Sequence, residues 1–170
     1  MRKGLKLLPL CVRCDQRLVI PPSSMIKVLF VCPDNSLLSP AAKAMLTHIG
    51  GNEFVVESAG ISTQPMHTVL AQVLLKFGIT INDAQQQTIE VFKEPETAKS
   101  FHYIIPLTQT VAEHDFSAFR YAAKNVKFQF DDFLNHTGNT VAESTVQEFC
   151  TALELCIEDF VVDVLDKRLK

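Results

Sequence analysis

The sequence predicts an α/β fold, a doubly wound four-stranded parallel sheet with helices on both faces, on three observations. Residues 26–31 (IKVLFV) form a near-continuous apolar run rich in branched side chains, the composition of a strand buried on both faces. Strand-like and helix-like segments then alternate down the chain. The chain closes on one long stretch whose apolar residues recur at helical intervals.

The first strand ends at Cys32. Ser39 and Pro40 then read as an N-cap followed by proline at the first helical position, with a helix over 41–49 that stops at Gly50-Gly51. Residues 54–57 make a second strand running into Ser58-Ala59-Gly60, and residues 67–77 a second helix capped by Gly78. Third and fourth strands are expected over 103–107 and 126–130. Thr140 and Glu143 have the spacing of a capping box and open the closing helix, whose stripe is Val146, Phe149, Cys150, Leu153, Ile157, Phe160, Val161 and Val164.

With 170 residues and 47% hydrophobic composition, the chain holds one core and little more. One soluble domain is expected over residues 25–170. Residues 1–24 stand apart as an extension, flexible or the product of an early start codon. They carry five of the sixteen basic residues and one acid, leaving 11 basic against 18 acidic residues and a net charge of −7 in the body. So acidic a body argues against nucleic acid as a partner. No apolar run is long enough to span a bilayer, and the leader lacks a cleavage site, so neither a membrane nor secretion is expected.

Five cysteines without framework spacing suit a reducing cytoplasm. Cys11 and Cys14 form a lone C-x-x-C without a second pair for zinc, and Cys150 and Cys156 fall on the apolar stripe as core residues. His48, His67, His102, His114 and His136 have no metal-binding spacing. No metal and no cofactor is expected.

In a doubly wound sheet ligands bind outside the carboxyl ends of the strands, which directs attention to residues 32–39. The stretch Val31-Cys32-Pro33-Asp34-Asn35-Ser36-Leu37-Leu38-Ser39-Pro40 resembles the phosphate loop of low-molecular-weight tyrosine phosphatases and thioredoxin-type arsenate reductases, whose pattern reads V-C-x-G-N-x-C-R-S-P; five of the eight specified positions match. Glu57-Ser58-Ala59-Gly60 resembles the family's E-S-A-G, and Lys124-Asn125 with Phe130-Asp131-Asp132 its late K-N and F-D-D-P segments. The resemblance implies a thiolate nucleophile at Cys32, a hydroxyl at Ser39 that donates to it, and a general acid at Asp132, or at its neighbour Asp131. It also implies an anion cradle made by residues 33–38. The chemistry needs each part: converging N–H groups and a helix N-terminus stabilise a thiolate and the oxyanion it attacks.

Three departures fall in that cradle. The position of the family's clamp arginine holds Leu38, which cannot pair with an oxyanion. Pro33 removes a backbone donor, and Asp34 puts a carboxylate where the family has glycine. Loss of one fixed donor costs about 10²- to 10³-fold in turnover, and loss of a charged clamp about 10³- to 10⁵-fold. Phe133 replaces the proline after the acid, and residues 107–115 hold none of the relay cysteines of the reductases. Weak oxyanion binding is therefore expected. Three readings follow: an impaired family member that binds a protein partner or small ligand at the Cys32 loop, a weak phosphatase or arsenate reductase that recruits Arg120 as clamp, and a thiol sensor acting through Cys32. An exposed apolar patch is expected if Leu37 and Leu38 face outward.

Overall fold

The computed structural model describes residues 20, 21, 24–82, 85–124, 126, 128–130 and 141–168. Strands β1 (Ile26–Cys32), β2 (Phe54–Gly60) and β3 (Tyr103–Pro106) form a parallel sheet in the order β2-β1-β3. Ile26 pairs with Phe54 at one end and Cys32 with Gly60 at the other, so the thiol and the glycine leave the sheet side by side. Helix α1 (Leu38–Gly50) joins β1 to β2; α2 (Leu70–Lys76), α3 (Pro95–Lys99) and the single turn α4 (Gln109–Ala112) follow, and α5 (Glu143–Arg168) closes the fold.

Alternation along β1 divides the core in two. Ile26, Val28, Phe30 and Cys32 face α1, α2 and α5, while Leu29 and Val31 face the layer of Ile89, Phe92, Phe101 and Phe119. All of these β1 side chains are fully buried, as the unbroken apolar run requires. Doubly wound packing is thus present, with helices covering one face and short helical turns the other.

The fourth strand expected over 126–130 does not form among the described residues. Its neighbourhood joins the sheet at isolated points: Tyr103 bridges to Ala123, and the Phe130 amide donates to the Leu107 carbonyl at 2.9 Å. Val126, Phe128 and Phe130 still point into the core, so side-chain burial rather than a hydrogen-bonded ladder holds this stretch. Helix α1 begins at Leu38, earlier than expected, with Leu37 at the cap position and no side-chain cap. Ser39 lies inside its first turn.

Elsewhere the pattern reads through directly. Gly78 has φ 73° and follows α2, where the Ile79 amide reaches back to the Leu74 carbonyl at 3.0 Å. Cys150 and Cys156 are buried on the inner stripe of α5. Thr140, the Cys11/Cys14 pair, Asn125, Asp131, Asp132, Phe133 and His136 lie outside the described residues.

Two contacts tie α5 to the sheet. Phe160 meets Tyr103 edge-on at 5.2 Å between ring centres and lies 6.2 Å from both Phe54 and Phe128, so one ring touches β2, β3 and the stretch beyond. At the far end of α5 the Arg168 guanidinium donates to Glu53 at 2.8 Å, to the Pro21 carbonyl at 2.8 Å and to the Ser24 carbonyl. That side chain is 7% exposed, so the pairing takes place largely out of water. Replacing Phe160 by alanine is expected to lower stability by about 3–5 kcal/mol, read as a drop in the urea midpoint at unchanged slope.

Candidate functional site

The loop between β1 and α1 is held by a buried network centred on one hydroxyl. Ser39 Oγ lies 2.9 Å from Cys32 Sγ, 2.8 Å from Asn35 Oδ1 and 3.2 Å from the Ala59 carbonyl. Asn35 in turn donates from Nδ2 to the Gln87 carbonyl at 3.3 Å and from its backbone amide to the sulfur at 3.1 Å. Cys32 and Ser39 are fully buried and Asn35 is 2% exposed.

Hydroxyl arithmetic orders the protons. Ser39 has one hydrogen to give and two oxygen acceptors waiting for it, so the sulfur is best served by donating its own proton to Ser39 Oγ. The chain then runs thiol to hydroxyl to amide oxygen, with the amide nitrogen passing on to Gln87. A thiolate would need the Ser39 hydrogen turned toward it, away from the Asn35 and Ala59 oxygens. Burial pushes the Cys32 pKa up, outweighing hydrogen bonds from Ser39 and the loop backbone that pull it down, and the nearby Asp34 charge adds to the rise.

Local backbone explains why these residues meet. Asn35 adopts φ 53°, a left-handed conformation asparagine tolerates, and this turns the chain so that its amide faces the sulfur. The loop then sits directly on Gly60: a Cβ there would lie 2.7 Å from the Asn35 amide nitrogen and 2.8 Å from the Asp34 carbonyl carbon. Only glycine leaves that space. The carbonyls of Cys32, Pro33, Asp34 and Ser36 accept from the amides of Ile61, Ser62, Gln64 and His67 at 2.8–3.1 Å, so the segment after β2 stitches the loop down.

The cradle residues are committed elsewhere. Asp34 Oδ1 accepts from the Ser36 amide at 3.0 Å and the Ser36 hydroxyl at 2.8 Å, so a carboxylate of the chain itself occupies a donor in the loop. Leu37 and Leu38 are 4% and 2% exposed and belong to the same core cluster as Cys32, Met45 and Leu153. Among the described residues Leu37 and Leu38 form no apolar patch at the loop. Arg120 follows the turn at residues 117–119 and is exposed, and the Asp34 charge raises the Cys32 pKa.

A family model described as low molecular weight phosphotyrosine protein phosphatase matches residues 27–148, most of the chain and all of this loop. The chain belongs to that family. Solved phosphatase-fold structures agree on the architecture. The YwlE arginine phosphatase from Geobacillus stearothermophilus superposes with a TM-score of 0.64 at 20% identity, over 85% of this chain and 96% of that one. An arsenate reductase in its phosphate-binding state gives 0.65 at 19%, over 81% and 98%. Vibrio vulnificus Wzb in complex with benzylphosphonate gives 0.60 at 14%, again over 81% and 98%. No curated protein matches by sequence.

Within this family member, the structure brings together Cys32, Pro33, Asp34, Asn35, Ser36 and Ser39, and turns Leu37 and Leu38 away into the core. Two partners were not legible in the sequence. Gln87 supplies a carbonyl to Asn35 and another hydrogen bond to the Gly60 amide at 2.9 Å, from a stretch with no motif to mark it. His67 is 5% exposed beneath Ser36, with its Nε2 unpaired and Nδ1 3.4 Å from the Val69 amide. Among the described residues no group of three ligating side chains stands close enough to hold a metal.

Burial lowers the pKa of His67, and burial followed by the Arg168 and Lys27 charges lowers that of His102. A histidine kept neutral by the fold binds fewer protons than in the unfolded chain, so its contribution is intact above about pH 6.5 and lost as the pH falls through that value. The urea midpoint is expected to drop between pH 7.5 and pH 5, and a His67→Gln variant to drop less steeply. Native Cys32 is expected to resist iodoacetamide at pH 7.5 on a timescale that fully alkylates the urea-unfolded protein, as mass spectrometry of the peptide would read.

Proposed function

We propose that this chain is a family member that works by binding and does not turn over phosphate or arsenate esters. The observation that carries the reading is Leu38. It stands where the family pattern places the clamp arginine, and its side chain is packed in the core at 2% exposure. Neighbouring features favour the same reading: Pro33 gives the cradle no amide hydrogen, Asp34 takes the Ser36 donors for its own carboxylate, and the thiol is held protonated and out of solvent.

The loss is concentrated in charge and access, while the seating of the loop on Gly60 and the turn at Asn35 are kept. A protein partner that reads the outer surface of the Cys32 loop fits this better than a small oxyanion. Thiol sensing is disfavoured on the same grounds, because the thiolate is the reactive form and burial opposes it. Free Cys32 and Cys150 favour a cytoplasmic setting, and no helix among the described residues is long and apolar enough to cross a membrane.

Hydrolysis of p-nitrophenyl phosphate by the wild type is expected to equal that of Cys32→Ser within error, and vanadate at millimolar concentration to leave the amide resonances of residues 33–39 unmoved. An Asp34→Gly/Leu38→Arg double variant, checked for folding by its urea midpoint, is expected to gain vanadate-dependent shifts. A wild-type rate that Cys32→Ser abolishes would restore the enzyme reading.

A further inference from the structure

The Cys32 loop is closed, yet the chain opens a groove of about 530 Å³ on the flank of α1, a volume in the range of small-molecule sites. It lies between the outer face of α1 and the chain over residues 79–82. Ala44, Met66, Ile79 and Ile81 give it an apolar lining; Met66 brings a thioether that adapts to ligand shape.

The polar part of the lining is rich in donors. Lys43 gives one N–H to Glu57 at 2.8 Å and has two left; His48 and the Asn82 amide add further donors, and the Thr80 hydroxyl can serve as one. Thr47 is already committed, its hydroxyl donating to the Lys43 carbonyl at 2.7 Å. Among the described residues no carboxylate lines the groove; Glu57 is bound to Lys43 from outside the lining.

From this lining we infer that the groove binds a small amphipathic monocarboxylate, its apolar body on Met66 and Ile79 and its carboxylate on Lys43. The lysine of the lining selects an anionic head group, because a charge-assisted bond to lysine is stronger than the bond a neutral hydroxyl would make. A phosphate dianion suits the groove less well, since one lysine already shared with Glu57 is the nearest cation and no arginine lines it. This site is separate from the Cys32 loop, although its walls include Pro40 and Ser58, chain neighbours of Ser39 and Ala59.

The test titrates the full chain with 4-phenylbutyrate, with 4-phenylbutanol, which has the same apolar body, and with acetate, following backbone amides by NMR. Phenylbutyrate is expected to give saturable shifts in residues 43–48 and 79–82 and to bind at least about 5-fold more tightly than the alcohol, with acetate silent. Lys43→Gln, at a half-exposed position where its loss costs little stability, should bring the acid down to the affinity of the alcohol. Ile81→Glu places a repelling carboxylate in the groove and should abolish binding of the acid. Equal affinity for acid and alcohol, saturable shifts confined to another surface, or no saturable shift at all would overturn the proposal. None of these outcomes bears on hydrolysis at Cys32, so the two readings fail separately.

Discussion

Everything around the β1–α1 loop depends on where the single hydroxyl hydrogen of Ser39 points. Three atoms surround that oxygen, one each from β1, the loop and β2, and a fourth element enters through Asn35 and the Gln87 carbonyl. A fully satisfied buried network of this kind fixes a conformation because any rearrangement strands a polar group away from water. On the proposed reading, the bonds that would tune a nucleophile in an active relative act as mortar. What separates the two roles is charge: with no cation at the loop among the described residues and a carboxylate beside it, the neutral arrangement is the stable one.

Leu37 and Leu38 fit the same reading. A guanidinium at position 38 would have to be kept in solvent or paired, and either demand holds the loop open. Two leucines instead draw the first turn of α1 down onto Met45 and the inner stripe of α5. Both leucines add apolar burial to the loop. Sites built for chemistry commonly carry strain and exposed polarity at the expense of stability, and the proposed reading has that tension relaxed in favour of packing.

Much of this was legible in the sequence, for identifiable reasons. β1 showed itself through a run buried on both sides, the inner stripe of α5 through its period, and the end of α2 at Gly78 through a residue that accepts left-handed backbone. The start of α1 was misplaced because Ser39 followed by Pro40 satisfies the statistics of a cap, while the hydroxyl is spent on the sulfur and Asn35 rather than on an orphan amide. The stretch over 126–130 has strand-like alternation, and burial of alternate side chains does occur there without a ladder. Gln87 and His67 act through a carbonyl and a backbone amide, groups every residue carries, so no pattern could single them out.

The guanidinium at the end of α5 has a consequence in time. It joins Arg168 to Pro21 and Ser24, contacts separated by 147 and 144 positions along the chain. Contacts of such high order form late, because the loop they close is nearly the whole domain. On a ribosome the strand at the centre of the sheet is synthesised early, yet its leading edge stays unpinned until the final turn of the last helix has emerged. For most of its synthesis the nascent chain therefore carries its most apolar strand without the clasp that secures it, which makes that interval the one in which a chaperone has most to protect.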